Sequence, residues 1–377
     1  MRARRHHVYL VPGFFGFTNL GELRYFAHVL DVLRVRSRVL GVPAELHVVR
    51  THPTASLPRR AVRVLETIAA TMGRDGPVHL IGHSSGGLDV RLLLAPGVSL
   101  PSDASVERVA GRVRTAVTVA TPHHGTPLAS FFTSLLGQRL LRLLSLSTVY
   151  ALRFGRLPIA VLVKLGAILA RLDNRVGLNS RLLDQLFGQL LADFSPTRRG
   201  AVESLFGEVS RDQALLAQLT PEGMDVFNAT ARNRPGVRYG SVVTRGRAPG
   251  VGSTFAAGFD PSAQASHAVY QTLYRLASLP PSRLPALAPA QARRLRRAYG
   301  TLPGAAPSDG IVPTRSQPWG DVIHAAQADH LDVIGHFRED ATAPRHVDWL
   351  TSGSGFDVER FEAVWADVAR WVFRPGT

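Results

Sequence analysis

The chain has 377 residues, 45% of them hydrophobic, which is enough to bury a substantial core in a soluble globular protein. It contains no cysteine, so disulfide frameworks, thiol nucleophiles and cysteine-based metal sites are excluded. The formal net charge is +16, from 44 basic and 28 acidic residues, but Lys164 is the only lysine and the arginines are scattered along the chain. Because no basic stripe with interleaved aromatic residues is visible, we expect no nucleic-acid partner.

The amino terminus resembles a secretory signal peptide in that basic residues are followed by a short apolar run. That run, residues 8–11, ends at Pro12 and Gly13 and is followed by no small-residue cleavage site. No stretch reaches the roughly 18 uninterrupted apolar residues of a membrane span. We therefore expect a cytoplasmic or peripheral-membrane location, while the sequence leaves the oligomeric state open.

Apolar and β-branched runs alternate with helical patterns along the chain. Predicted strands fall at residues 8–11, 44–49, 78–81, 114–120, 237–243 and 322–325. Predicted helices fall at about residues 20–40, 58–72, 85–94 and 358–373. This alternation predicts an α/β fold with a mostly parallel, doubly wound sheet that binds ligands at the carboxyl ends of its strands.

Two mainly helical stretches interrupt the alternation, at about residues 126–235 and 263–300. We see neither a linker rich in Gly, Ser or Pro nor a repeat of fixed period. The sequence therefore predicts a single catalytic domain over residues 1–377, with both stretches inserted at the carboxyl rim of the sheet. We expect the first insertion to form a cap or lid.

Residues 82–86, Gly-His-Ser-Ser-Gly, match the G-x-S-x-G pattern of a nucleophilic serine. They directly follow a predicted strand and directly precede a predicted helix, so the turn presents the Ser84 hydroxyl and aims the Ser85 amide at a developing oxyanion. The loop after the first strand predicts Phe14 as the second amide donor. The alternatives are a glycine-rich turn with a surface serine and a plain β-turn before Phe14.

A nucleophilic serine needs a histidine base and an orienting carboxylate, and in this fold the chain order is serine, acid, histidine. His330 is the predicted base, because it follows the last predicted strand on a loop that can reach Ser84. Asp309 is the predicted acid, in a turn upstream of His330. Rivals are His324, His336 and His346 for the base, and Asp321 and Asp329 for the acid.

The paired histidines His123 and His124 follow another predicted strand. A histidine pair can suggest a metal site, but neighbouring side chains of an extended segment point to opposite sides. We therefore expect a structural role at the rim of the sheet.

Five segments in this order resemble the bacterial triacylglycerol lipases and related esterases of the α/β-hydrolase superfamily. They are residues 11–16 (VPGFFG), 81–87 (IGHSSGG), 120–127 (ATPHHGTP), 308–313 (SDGIVP) and 329–332 (DHLD). The resemblance covers residues 1 to about 125 and about 300–340 well, and the middle of the chain poorly. It implies an α/β-hydrolase fold, a triad of Ser84, Asp309 and His330, and oxyanion amides at Phe14 and Ser85.

Many such lipases hold a structural calcium ion, and one of its aspartates falls two residues past the catalytic histidine, here at Asp332. The partner aspartate is not evident, because Asp260 has a similar local context but lies further from Asp309 than in the family pattern. One carboxylate rarely binds Ca²⁺ without others. We therefore expect no required cofactor and weak or absent calcium dependence.

The residues and the resemblance together predict a serine hydrolase that cleaves carboxylic esters through an acyl-enzyme, with lipid or acylglycerol esters as the expected substrates. The alternatives are a non-catalytic α/β-hydrolase fold that binds a lipid or a protein, and an acyltransferase, thioesterase or amidase that uses the same site.

The first insertion also predicts contact with a lipid interface. Residues 128–172 contain no Asp or Glu, and six basic residues punctuate their apolar runs. Such a cationic apolar surface is typical of a mobile lid that opens onto anionic lipid. A permanently closed cap over the pocket is the alternative, and both place Phe131 and Phe132 near the acyl chain.

Overall fold

A computed structural model gives the fold of the chain. It describes residues 4–14, 25–26, 28–154, 158, 160–161, 163–164, 168, 180–196, 199–200, 202–203, 212–280, 284–338, 348 and 350–374. Parts of the predicted helix at residues 20–40 and of the predicted lid at residues 128–172 lie outside the described residues.

In the described part of the chain, six strands form one parallel sheet. They are β1 (His6–Val11), β2 (Ala44–Val48), β3 (Val78–His83), β4 (Val113–Val119), β5 (Arg238–Thr244) and β6 (Asp321–Ala326). Their order is β2-β1-β3-β4-β5-β6, and each neighbouring pair is parallel. The order reverses between β1 and β3, which creates a switch point where ligands bind outside the carboxyl ends. The predicted α/β class and all six predicted strands are confirmed, with ends that differ by at most two residues.

Helices connect these strands. In chain order they are α1 (Val29–Val39), α2 (Leu57–Thr71), α3 (Ser85–Leu94), α4 (Val106–Ala110), α5 (Pro127–Phe132), α6 (Leu135–Phe154), α7 (Ser180–Ala192), α8 (Ala214–Gln218), α9 (Pro221–Thr230), α10 (Val251–Ala256), α11 (Pro261–Ala277), α12 (Pro289–Tyr299) and α13 (Val358–Val372). The predicted helices at 58–72, 85–94 and 358–373 are confirmed as α2, α3 and α13.

The predicted helix at residues 20–40 is described only in part. Its first helical residue in the described chain is Val29, and the preceding His28 has φ 58°. A residue in the left-handed region cannot continue a right-handed helix, so the helix starts after it. Apolar spacing alone carries no signal for this backbone reversal.

The core lies on both faces of the sheet, because alternate residues of each strand point to opposite sides. On β1, Val8 and Leu10 pack in a cluster that includes Trp365 of α13, whereas Tyr9 packs in a separate cluster with Leu65 of α2. Each such buried side chain contributes about 1.5–3 kcal/mol. Coverage of both faces explains why the strands read as continuous apolar runs.

The second predicted insertion, residues 263–300, divides into two parts with different roles. Helix α11 stays at the carboxyl rim, where its Leu273 faces the same cavity as Ser84. Helix α12 instead covers the sheet, since Leu295 and Tyr299 pack with Val243 of β5. The Tyr299 hydroxyl also lies 3.0 Å from the Val243 carbonyl oxygen. The prediction that all of residues 263–300 lie at the carboxyl rim is therefore wrong for α12. This helix is the last of the three described α-helices that connect β5 to β6.

The described runs of the first insertion are mainly helical, as predicted. Helices α5 to α9 follow the carboxyl end of β4 and precede β5. Among the described helices, none combines the length and apolarity needed to cross a bilayer.

Candidate active site

Ser84 occupies a tight turn between the end of β3 and the start of α3. Its backbone has φ 54° and ψ −132°, a strained conformation that costs about 1–3 kcal/mol. Neither of the two flanking glycines has room for a side chain. A Cβ on Gly82 would lie 2.4 Å from the Gly86 carbonyl oxygen, and one on Gly86 would lie 2.3 Å from the Val11 carbonyl oxygen. The two glycines of the motif are therefore required by backbone packing, while the serine is free to face the carboxyl rim.

An apolar cavity lies above this turn, and both Ser84 and His330 line it. Its volume, including the open mouth, is about 760 Å³. The insertion helices supply much of the wall through leucine and phenylalanine side chains, namely Leu128, Phe132, Leu141, Leu144, Leu216 and Leu273. Phe132 thus lies where the sequence analysis expects it, whereas Phe131 packs against the Phe132 ring at a centroid distance of 5.4 Å and is not among the described lining residues.

His330 and Asp309 form a buried pair at the edge of this cavity. The Nδ1 atom of His330 donates to Asp309 Oδ2 over 2.9 Å. The backbone also ties the two loops, since the His330 amide donates to the Asp309 carbonyl oxygen over 3.0 Å. Because Nδ1 carries the proton, the neutral ring leaves Nε2 with a lone pair.

A ring of donors surrounds the Asp309 carboxylate. Its Oδ1 accepts from the Ile311 and Val312 amides at 3.0 and 2.7 Å, and its Oδ2 accepts from the Thr244 hydroxyl at 2.7 Å. The Gln317 side-chain amide lies 3.3 Å from the same Oδ2. These donors satisfy the hydrogen-bonding capacity of a fully buried carboxylate and fix its orientation. Sequence analysis missed Thr244 and Gln317, which belong to no motif.

The loop after β1 is fastened beside Ser84. The Gly13 amide donates to the Tyr25 hydroxyl over 2.9 Å, and Phe14, the next residue, lines the cavity. A Cβ on Gly13 would lie 2.5 Å from the Ser84 Cβ, so the loop approaches the turn as closely as backbone permits. Phe14 and Ser85 therefore both lie close to Ser84, which is the arrangement expected of two oxyanion donors.

His83 connects three loops of the site. Its Nε2 donates to the His330 carbonyl oxygen over 3.0 Å, so its Nδ1 accepts from the Tyr25 hydroxyl over 2.7 Å. Burial, together with the neighbouring His330, lowers the pKa of His83 well below its ordinary value. The ring therefore stays neutral and can donate and accept at once. Sequence analysis assigned no role to His83 or Tyr25.

A fully buried ion pair lies beneath the loop after β1. Arg60 of α2 binds Asp89 of α3 with an Nη2 to Oδ2 distance of 2.7 Å, and both side chains have 0% exposure. The same guanidinium donates to the Pro12 carbonyl oxygen over 2.8 Å. It thereby joins α2, α3 and the Phe14 loop. Arg60 occupies the apolar face of α2, and opposite charges on the buried faces of two helices are a signal that sequence analysis could have used.

The rival bases and acids lie elsewhere. His324 pairs with Asp367 of α13 at 2.8 Å, and His336 donates to the Tyr25 carbonyl oxygen at 3.0 Å. His346 lies outside the described residues, and Asp321 starts β6 with its side chain exposed. Asp329 accepts from the Leu331 and Asp332 amides, so its carboxylate turns away from His330 as expected.

His123 and His124 differ in burial, although both rings lie near Trp319, with centroid distances of 5.1 and 6.5 Å. His123 is buried, with its Nε2 3.0 Å from the Thr118 hydroxyl and its Nδ1 3.2 Å from an Arg91 guanidinium nitrogen. His124 is only partly buried. Burial and the Arg91 charge lower the pKa of His123 well below its ordinary value, which fits a neutral, structural residue.

Asp332 lies in a cluster of carboxylates rather than alone. Oxygen atoms of Asp329, Asp332 and Asp348 all lie within 4.8 Å of one another. Burial raises the pKa of Asp332 well above its ordinary value, and the neighbouring carboxylates raise it further. Hard cations such as Ca²⁺ prefer sets of carboxylate oxygens, so these residues fit a calcium ion. The neighbouring carboxylates that were not evident from the sequence are therefore Asp329 and Asp348. Asp260 instead caps α11, where it accepts from the Ala263 amide.

Comparison with known proteins places the fold. No family model and no curated protein matches the chain. The solved structure of EstA from Clostridium botulinum is similar over 97% of this chain and 88% of that one, at 17% identity and a TM-score of 0.52. Lipase 1 from Pelosinus fermentans is similar over 93% of this chain and 97% of that one, at 18% identity and a TM-score of 0.49. The likeness to EstA confirms the α/β-hydrolase fold and, at the level of fold, the resemblance to bacterial lipases and esterases.

The contribution of the buried Arg60–Asp89 pair to the stability of the protein can be measured with single and double variants. Arg60→Met should lower the free energy of unfolding by about 3–5 kcal/mol, because it leaves a buried carboxylate without its partner. The double variant Arg60→Met/Asp89→Leu should lose much less than the sum of the two single variants. Urea unfolding monitored by circular dichroism measures all three.

The exposed pair Arg63–Glu66 on the same helix is the control, with side chains 50% and 41% exposed. Arg63→Met should change stability by less than about 1 kcal/mol. Additive losses at Arg60 and Asp89 would contradict the coupling.

Proposed function

We propose that the protein is a serine hydrolase that cleaves carboxylic esters, with Ser84 as nucleophile, His330 as base and Asp309 as the orienting acid. One observation carries this proposal: the strained turn bearing Ser84 and the hydrogen-bonded pair of His330 and Asp309 border one apolar cavity. A structural role explains neither the strain at Ser84 nor a buried carboxylate directed at a histidine beside a cavity.

The mechanism follows from these groups. His330 Nε2 takes the hydroxyl proton as Ser84 Oγ attacks the ester carbonyl carbon, and Asp309 stabilises the resulting imidazolium through Nδ1. The amides of Phe14 and Ser85 hold the oxyanion, and one such donor contributes about 3 kcal/mol of transition-state stabilisation. His330 then returns the proton to the leaving alcohol. Water cleaves the acyl-enzyme by the same proton route in reverse.

The substrate class follows from the cavity wall. Side chains of α5, α6, α8 and α11 surround Ser84 with leucine and phenylalanine, which suits a long acyl chain. We therefore propose lipid or acylglycerol esters as substrates. An acyltransferase, thioesterase or amidase would use the same three residues, so a substrate panel must separate these activities. A non-catalytic lipid-binding protein would need no ordered His330–Asp309 pair.

The proposed roles of Ser84 and Asp309 can be tested by substitution. Ser84→Ala should reduce hydrolysis of p-nitrophenyl esters by about 10⁴-fold or more, and Asp309→Asn should cost about 10⁴-fold in kcat because it disturbs the His330 tautomer. Rates across a series of rising acyl length, with matched thioesters and anilides, identify the preferred bond and chain.

The melting temperature of Ser84→Ala controls for misfolding and should stay close to the wild-type value, since the change removes a single oxygen atom from a residue that lines the cavity. A folded Ser84→Ala protein with wild-type turnover would refute the proposed nucleophile. Binding of a long-chain ester without turnover by the wild type would favour the non-catalytic alternative.

We also propose that the insertion acts as a lid at a lipid interface. In the described part of α6, the Arg139 guanidinium pairs with the Asp184 carboxylate of α7 at 3.3 Å. Leu141 and Leu144 of the same helix line the cavity. A further apolar feature lies on the same rim, after β5: Phe255 and Phe259 are 63% and 84% exposed, with ring centroids 6.2 Å apart. Exposed aromatic pairs on a basic protein suit an anionic lipid surface.

Activity on a long-chain ester should therefore rise steeply once the substrate forms micelles or vesicles, more with anionic lipid and less at high salt. Phe255→Ser/Phe259→Ser should weaken binding to anionic vesicles in a sedimentation assay. Val39→Ser is the matched control, since Val39 is 72% exposed at the end of α1. Smooth saturation through the aggregation point, unaffected by vesicles, would leave a fixed cap.

We propose further that Asp329, Asp332 and Asp348 hold a calcium ion, in place of the weak dependence expected from sequence. The ion would neutralise the clustered carboxylates and hold the loop that carries His330, without entering any bond-making step. EDTA should then lower the melting temperature by about 5–10 °C, and added Ca²⁺ should restore it.

Asp332→Asn should abolish the response to Ca²⁺, whereas Asp260→Asn, which can still cap α11, should keep it. If neither EDTA nor Ca²⁺ changed the melting temperature, the calcium site would be rejected, and the proposal of ester hydrolysis would be unaffected.

A further inference from the structure

A second group of metal-binding side chains lies at the other end of the sheet from Ser84. His7 stands near the start of β1, and Glu45 and His47 stand on the neighbouring strand β2. The parallel register places His7 beside Glu45, and Tyr9 beside His47. Because residues two apart on a strand share a face, all three side chains lie on one face of the sheet.

The distances among the three side chains fit a small tetrahedral cation. His7 Nδ1 and His47 Nε2 are 3.4 Å apart. Two nitrogens bound to one tetrahedral Zn²⁺ at about 2.0–2.1 Å lie about 3.3–3.4 Å from each other, so the imidazoles already span one edge of the coordination shell. The Glu45 oxygens lie 4.0 Å from His7 Nδ1 and 3.9 Å from His47 Nε2. Glu45 is 46% exposed, so its carboxylate can close the remaining gap.

The two rings are held in place by their surroundings. His47 stacks on Tyr9 with ring centroids 4.6 Å apart, and the Tyr9 hydroxyl bonds Thr71 of α2 at 2.9 Å. His7 is buried, and the close packing around it restricts the orientation of its ring.

The charges nearby leave Glu45 available. Arg5 approaches Glu45 at 3.7 Å, but its side chain is 69% exposed and can swing into water. Arg112 is occupied by the carbonyl oxygens of Gly73 and Gly76 at 2.8 and 2.6 Å. Neither arginine therefore blocks a divalent cation from becoming the partner of Glu45.

We propose that His7, Glu45 and His47 bind Zn²⁺, with water in the fourth position. Two imidazoles and a carboxylate favour zinc over calcium or magnesium, which prefer oxygen ligands alone. Strand β2 lies at the end of the sheet order and pairs only with β1 in the described chain. The ion would fasten this edge strand to the core of the sheet. The site is separate from the proposed hydrolase site and does not depend on it.

The test uses the full chain, stripped with a chelator and then titrated with Zn²⁺ by calorimetry in the Asp332→Asn background, which disables the acidic cluster. One zinc ion should bind per chain and raise the melting temperature. His47→Ala and Glu45→Gln should each weaken binding by at least about tenfold. With Co²⁺ in place of Zn²⁺, the visible absorption of a four-coordinate ion should appear and should be lost in both variants.

The matched control is His52→Ala, which removes a partly buried histidine just after β2 and should bind zinc like its parent. Glu45→Gln alters an exposed side chain, so its melting temperature in chelator should equal that of its parent and its ester hydrolysis should not change. The site is refuted if the folded parent binds no zinc, or if His47→Ala and Glu45→Gln bind it as tightly as the parent.

Discussion

The architecture of the site depends on the close approach of three backbone segments at one turn. Gly82 and Gly86 let the turn after β3 close on itself and on β1, and Gly13 brings the next loop against Ser84. At each of these positions a Cβ would come within about 2.5 Å of another atom. The strain at Ser84 is sustained because β1, β3 and α3 are already fixed by the core on both faces of the sheet. Packing far from the cavity thus sets the geometry within it.

Polar contacts then fix the loops that the sheet only positions roughly. The Arg60 guanidinium donates a hydrogen bond to the Pro12 carbonyl oxygen. The His83 ring bonds the Tyr25 hydroxyl at one nitrogen and the His330 carbonyl oxygen at the other. These contacts are buried, so each donor and acceptor must be satisfied within the protein, and alternative loop positions would leave them unpaired. Dipoles fixed in this way need no rearrangement when charge develops at the substrate, which is the condition for strong oxyanion stabilisation.

Much of this arrangement could be predicted from the sequence, because it rests on local patterns. Apolar runs located the six strands, and the spacing of glycines around Ser84 located the turn. Features that depend on distant segments could not be found in this way. Thr244 reaches Asp309, 65 residues further along the chain, only because the end of β5 lies beside the loop before β6. Asp348 likewise joins Asp329 and Asp332 from 16 residues beyond Asp332. Helix α12 has the same apolar spacing as a cap helix, so only the packing of Tyr299 on β5 reveals its role.

Covalent labelling tests whether Ser84 is an activated nucleophile. The wild-type protein is treated with a fluorophosphonate probe, digested, and mapped by mass spectrometry. We expect a single adduct on the peptide that contains Ser84, formed much more slowly in Asp309→Asn. A folded protein that forms no adduct, or one whose adduct lies on another serine, would contradict the proposed role of Ser84.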